Sequence, residues 1–242
     1  MRVIRRTDTQ AAFSNAAADV VAEQLESNPR SVLALPTGNT PIGLYAELVR
    51  RSRAGLLDFS QTFIFNLDEY VGLPASDPHS YAAMIRQHLV DPIGLNPDRV
   101  RLLRGDAPDL EQECLSFDAA LAAVGGIDLC VLGLGANGHI AFNEPGSDGG
   151  LTTHVVQLAH ATRSTHEEQT AHSWRVPTSG VTMGIRTILE SRSILLLISG
   201  SGKEAAKEAF YRGVADPDFP ATCLSSHPRL TVIELCAPAG AR

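Results

Sequence analysis

The apolar run Ile127 to Leu134 gives way abruptly to Gly135-Ala136-Asn137-Gly138-His139-Ile140-Ala141-Phe142-Asn143-Glu144-Pro145. No other feature restricts the fold as much. The run reads as a buried strand. It ends in glycines that present an amide, an imidazole and a carboxylate within eight residues. Open α/β sheets place their active sites at strand ends of this kind. A surface loop with one His and one Glu is the plain alternative, but three further segments point to the same site.

Along the rest of the chain, strand-like runs alternate with helical patterns. Ser31 to Leu35, Thr62 to Leu67, Arg101 to Leu103, Ile127 to Leu132, Ser193 to Ile198 and Leu230 to Leu235 read as strands. Ala11 to Leu25, Pro41 to Arg53, Ser80 to Leu89, Leu110 to Val124, Val181 to Leu189 and Lys203 to Tyr211 have helical spacing. Thr7 or Asp8 is the expected N-cap of the first helix. Such alternation implies an α/β, Rossmann-like, largely parallel sheet with helices on both faces. Strands buried on both faces are apolar almost throughout, as here. At 242 residues, one domain spanning 1–242 is expected.

A net charge of −7 argues against nucleic acid or an anionic membrane as the main partner, though a local pocket can still be positive. No window offers the ~18 apolar residues of a membrane span. Met1 to Arg6 has no apolar segment of a secretory signal. The four cysteines, Cys114, Cys130, Cys223 and Cys236, are scattered, without a CxxC pair. Neither a zinc site nor a disulfide framework is indicated. Cys130 and Cys236 read as core thiols, and a reducing cytoplasm fits.

Three more turns carry polar chemistry. In Leu35-Pro36-Thr37-Gly38-Asn39-Thr40-Pro41 a strand ends, a glycine turn follows and a helix begins with Pro. Backbone N–H groups and Thr hydroxyls at a helix N-terminus bind anions, although an ordinary βα turn looks the same. In Ile198-Ser199-Gly200-Ser201-Gly202-Lys203 a Lys opens a helix, against the macrodipole. An anionic ligand would compensate; a solvated surface Lys is the alternative. In Phe65-Asn66-Leu67-Asp68-Glu69-Tyr70 two acids close a strand, so their side chains point to opposite faces and at most one easily faces a pocket; an ordinary polar strand end is the alternative. A carboxylate poised there can move a proton from carbon.

The long polar segment Ser147 to Pro177 holds His154, His160, His166, His172 and the sole Trp, Trp174. Its length suggests a lid or embellishment over the site, with a peripheral insertion as the alternative. The histidines stand six residues apart, which does not align neighbours on one helix face.

Together these features resemble the glucosamine-6-phosphate deaminase family. PTGNTP, FNLDEYVGLP, HSYAAMIRQHLVD, LGLGANGHIAFNEPG and SGSGK occur in family order and spacing, from about Val3 to Leu235. The related sugar-phosphate lactonases share the glycine turns but match FNLDEYVGLP and GHIAFNEPG less well. The resemblance implies that a phosphorylated 2-amino sugar opens, isomerises and loses ammonia to give fructose 6-phosphate, with no metal or redox cofactor. By match to the motifs, Asp68 would carry the proton between C2 and C1. His139 would act in ring opening, and Glu144 would orient it and set its charge. Asn137, where the family has Asp or Asn, would orient His139 without titrating. Thr37, Gly38, Asn39 and Thr40 would hold the phosphate with Lys203.

The sequence departs from the family in one charged position. Counting forward without gaps from Glu144, the family's phosphate-binding arginine falls on Glu168. Two such negative charges a few ångströms apart repel by roughly 1–4 kcal/mol. Either Arg163 or Arg175 replaces the missing cation, or the substrate's 6-substituent differs and Glu168 meets a hydroxyl or an amine. Members activated by N-acetylglucosamine 6-phosphate use basic residues where this chain has His154 and Val156, and a C-terminal extension where it stops at Arg242. No such activation is expected, and a monomer or dimer is favoured over a hexamer. Two other readings remain: a 6-phosphogluconate-type lactonase, which would not need Asp68, and a non-catalytic sugar-phosphate sensor.

Overall fold

The computed structural model describes residues 3–169 and 173–236, so His172 lies outside the described residues. The elements run β1 (Val3–Thr7), α1 (Gln10–Ser27), β2 (Val32–Leu35), α2 (Ile42–Arg53), β3 (Phe63–Asn66), β4 (Asp68–Tyr70) and α3 (Tyr81–Ile85). A π-helical turn, Arg86–Val90, joins α3 to α4 (Asp91–Ile93). Then come β5 (Val100–Arg101), α5 (Leu110–Ala123), β6 (Leu129–Gly133), β7 (His154–Gln157), α6 (His160–Gln169) and β8 (Ser179–Thr182). The last are α7 (Ile185–Leu189), β9 (Ser193–Ile198), α8 (Glu204–Arg212) and β10 (Leu230–Leu235).

Seven strands form a parallel sheet in the order β1-β10-β9-β6-β2-β3-β5. Strand period two explains its layering. Leu33, Leu35, Leu129, Val131, Leu195 and Leu197 join α1, α2 and α3 in one apolar cluster. Their neighbours Val32, Ala34, Cys130, Leu132, Ile194, Leu196 and Ile198 join α5, α7 and α8 in another. Helices therefore cover both faces, as the apolar strands require. The chain builds outward from β2 through β3 to β5, then returns to β6 on the other side of β2. That reversal opens a crevice beyond the strand ends.

A second, antiparallel sheet, β4-β8-β7, begins where the chain leaves β3 at Leu67. Asn66 fixes this departure: its side chain donates to the Asp68 carbonyl (2.8 Å) and accepts from the Leu103 N–H (2.8 Å). The polar segment 147–177 supplies β7 and α6, and Trp174 stacks on His79 at 4.5 Å.

Three local expectations change. The cap of α1 is Thr9, which accepts from the Ala12 N–H, because Thr7 is held in β1 opposite Leu235. Val181 and Thr182 belong to β8, and α7 starts only after Gly184. A Cβ at Gly184 would stand 2.1 Å from the Leu151 carbonyl oxygen, so the chain turns there against another backbone. Cys236 is half-buried just past β10, so it is not a core thiol, whereas Cys130 is fully buried. All four cysteines are free.

Candidate active site

A cleft of about 1340 Å³ opens at the C-terminal ends of β2, β6 and β9. The three turns that follow these strands line it, together with Asp68, Tyr81, Phe142 and part of α6. The first turn, Thr37 to Thr40, is pinned below by the buried Tyr45, whose hydroxyl donates to the Pro36 carbonyl. It is tied to the third turn by the Ser199 hydroxyl, 3.1 Å from the Thr40 hydroxyl.

Asp68 opens β4, and Glu69 follows on the opposite face. Glu69 is buried away from the cleft and accepts N–H bonds from Tyr70, Tyr81 and Ala82 at 2.8–2.9 Å, which fixes the start of α3. Asp68 faces the cleft and accepts from the Thr37 hydroxyl at 3.4 Å. Burial first, and the Glu69 charge second, push the Asp68 carboxyl up to about 8. It is therefore a far stronger base than an ordinary carboxylate.

The second turn holds a three-residue relay. His139 Nδ1 lies 2.7 Å from Asn137 Oδ1, and Asn137 Nδ2 donates to Glu144 Oε2 at 2.8 Å. A carboxylate only accepts, so the Asn137 amide must turn its NH₂ to Glu144 and its oxygen to His139. That assignment places the imidazole proton on Nδ1 and leaves Nε2 with a free lone pair. Burial holds His139 below the ordinary imidazole value; Lys203 adds to this and Glu144 opposes it. The second Glu144 oxygen accepts the Ala159 N–H at 3.2 Å, just before α6. Gly135 makes room for the ring, since a Cβ there would sit 2.4 Å from His139. Ala141, also on the cleft, has φ of 50°, a strained backbone for a residue with a Cβ.

Lys203 caps the start of α8 and lines the cleft. Burial pulls its ammonium down to about 8. Among the described residues it has no ion-pair or hydrogen-bond partner, and no other Lys or Arg lines the cleft. The solvated-surface alternative for Lys203 does not hold. Of the residues around the lid position, Glu168 lines the cleft, while Arg163 and Arg175 do not. The residues read from the sequence thus gather at one place, except those two arginines.

The sequence reading overlooked Tyr81, Thr165 and His166, which also line the cleft. His166 was visible only as one of several histidines in a polar segment. Its role depends on a contact with Tyr70, 96 residues away in sequence, that no local pattern encodes. Among the described residues, no group of three or more His, Cys, Asp and Glu side chains is gathered to hold a metal ion. No helix there is long and apolar enough to cross a membrane.

The chain as a whole has counterparts among known proteins. Residues 5–232 match the family described as glucosamine-6-phosphate isomerases/6-phosphogluconolactonase. A glucosamine-6-phosphate deaminase of Bacillus pumilus is 42% identical over 233 residues, 96% of each chain. That of Lysinibacillus sphaericus is 41% identical over 221 residues, covering 91% of this chain and 93% of the relative. A solved monomeric glucosamine-6-phosphate deaminase superposes with a TM-score of 0.93 at 38% identity, covering 99% of this chain and 100% of its own. With the match extending from β1 into β10, the chain belongs to the glucosamine-6-phosphate isomerase/6-phosphogluconolactonase family.

Proposed function

We propose that the protein converts glucosamine 6-phosphate and water to fructose 6-phosphate and ammonia. One arrangement carries the reading: the Asp68 carboxyl and the His139–Asn137–Glu144 relay open on the same cleft as Lys203. The phosphate sits between Lys203 and the Thr37–Thr40 turn, where backbone N–H groups at the start of α2 add to the cation. His139 Nε2 takes the O1 proton and returns it to O5, opening the ring. Asp68, as a carboxylate, takes the C2 proton and delivers it to C1 while a proton passes from the amine nitrogen to O1, which turns the aldehyde into a C1 alcohol and the amine into a C2 imine and leaves Asp68 a carboxylate again. Water adds to that imine and ammonia leaves.

Lys203 is the cation for the phosphate in this reading, because Arg163 and Arg175 lie off the cleft. The placement of Glu168 on the cleft favours a second reading, an amino sugar whose 6-substituent or amine meets a carboxylate. Four free thiols fit a cytoplasmic enzyme. A monomer or dimer without activation by N-acetylglucosamine 6-phosphate fits His154, whose Nδ1 is 2.8 Å from the Thr152 carbonyl, and the uncharged Val156.

The test is ammonia release from glucosamine 6-phosphate, with glucosamine run alongside. Release from the phosphate ester alone supports the proposal. Release from glucosamine alone favours the second reading, and release from neither by folded protein overturns both. Hydrolysis of 6-phosphogluconolactone that survives Asp68→Asn would point instead to a lactonase.

A further inference from the structure

α6 brings a second imidazole to the cleft. Thr162 and His166 lie four positions apart, on one face of that helix. The Thr162 hydroxyl is 3.5 Å from His139 Nδ1, and His166 Nδ1 is 2.6 Å from the Tyr70 hydroxyl. His166 is thus held beside the ring-opening relay by a short bond to β4, the strand that begins with Asp68. Its Nδ1 is occupied and the ring lines the cleft, so Nε2 is the atom left for a ligand.

The bonds below His166 set the character of that atom. The Tyr70 hydroxyl is also 3.0 Å from the Tyr81 hydroxyl, Tyr81 interacts with Thr37, and Thr37 donates to Asp68. With Thr37 donating to Asp68, the row is completed in one order by Tyr81 donating to Thr37 and Tyr70 to Tyr81. In that order Tyr70 accepts from His166 Nδ1–H, which leaves Nε2 as an acceptor. Burial, with the nearby His139 adding to it, pulls the His166 imidazole down to about 4, so the ring is neutral and has such an acceptor.

We propose that His166 is a further substrate-contacting residue, whose Nε2 accepts a hydrogen bond from a hydroxyl or the ammonium of the bound amino sugar while Nδ1 locks the ring to Tyr70. The inference rests on the proposed amino-sugar phosphate reaction. It makes α6 part of the specificity surface through a group that is neutral, unlike Glu168 beside it.

Two amide variants of the full-length protein separate the two ring nitrogens. In His166→Gln the amide reaches the Nε2 position; in His166→Asn it replaces Nδ1 and rebuilds the Tyr70 bond. Both are compared with wild type by kcat and KM for ammonia release, and by Kd for glucosamine 6-phosphate from the fluorescence of Trp174, the single tryptophan, whose ring lies 5.3 Å from Tyr70. Circular dichroism and melting checks that each is folded. The expected result is KM and Kd within about threefold of wild type for Gln and raised about tenfold or more for Asn, the loss of one good hydrogen bond. Rescue by Asn but not Gln overturns the proposal and makes His166 a strut for Tyr70. Wild-type constants in both variants, or equal losses in both, overturn it as well. If wild type binds the sugar and Kd splits as expected without ammonia release, this proposal stands and the proposed reaction falls. If wild type turns over but the constants do not split, the reverse holds. If wild type neither binds nor turns over, both fall.

Discussion

Glu144 stands 3.8 Å from His139 Nδ1, too far to bond it, and Asn137 fills the gap. The carboxylate therefore controls the imidazole through an amide that cannot change its own charge. Removing the amide should disconnect the pair. Asn137→Ala is expected to lower kcat on the order of 10²-fold. Asn137→Asp is expected to keep most activity, because its carboxylate still accepts from Nδ1. Its second oxygen would face Glu144 at the 2.8 Å now spanned by the amide, so the two acids must share a proton. The pH profile of kcat/KM checks this: the Asp variant gains a new limb and the Ala variant does not.

Asp68→Asn should stop turnover and stabilise the fold. The native carboxyl, raised from 3.8 to about 8, keeps a proton that the unfolded chain releases. Wild-type stability therefore falls as pH climbs between those two values. Asparagine has no such dependence. The melting temperatures of the two proteins should coincide near pH 4 and separate toward pH 8, with the variant higher by ~2–4 °C per kcal/mol. A melting scan across pH reads the difference, and turnover should drop by ~10³-fold or more.

Among the described residues the half-buried Lys203 has no counter-charge, and burial lowers its pKa from 10.5 to about 8. The unfolded chain holds the proton more tightly, so the penalty is full below pH 8 and fades as pH rises through 10.5. An anion offsets that penalty only while Lys203 is charged. Inorganic phosphate should raise the melting temperature strongly at pH 7 and weakly at pH 9.5. Lys203→Met should abolish the shift and raise KM for a phosphorylated substrate about tenfold or more.

Glu168 is the remaining charge on the wall of the cleft. If it faces the phosphate, Glu168→Arg replaces repulsion with attraction and lowers KM for glucosamine 6-phosphate about fivefold or more. That is the expected outcome under the proposed function. A rise in KM would instead place Glu168 against the amine or a hydroxyl of the sugar.

The central sheet was legible in the sequence because its inner strands are buried on both faces and leave continuous apolar runs. β1 was not, since Ile4, Arg5 and Arg6 are exposed at the edge of the sheet and show no such run. Val181 and Thr182 fit a helical pattern because Val181, Ile185 and Ile188 are apolar at spacings that suit a helix as well as a strand running into one. The opposite facing of Asp68 and Glu69 followed from strand period two. The contact between Tyr70 and His166 did not follow from any local pattern, because it joins two elements of opposite sequence character. The position of Glu168 could be counted from Glu144, but the absence of Arg163 and Arg175 from the cleft could not, since Arg163 depends on how α6 rotates about its axis and Arg175 on the path of the chain after that helix ends.

Asp68 and His139 belong to different sheets. Asp68 lies on the small antiparallel leaflet that also carries β7 and leads into α6, whereas His139 lies on the turn that follows β6 of the large parallel sheet. In the proposed reaction the two groups are therefore held by different strands, although Leu67, Val181 and Met183 pack in one apolar cluster with the large sheet. Substitutions in the leaflet can re-aim the base along the carbon chain of a sugar while the ring-opening half keeps its footing. The leaflet is bonded to its surroundings where the Met183 N–H meets the Leu67 carbonyl and Asn143 Nδ2 meets the Met183 carbonyl, so a substitution at this seam would shift the distance between the two groups without touching either.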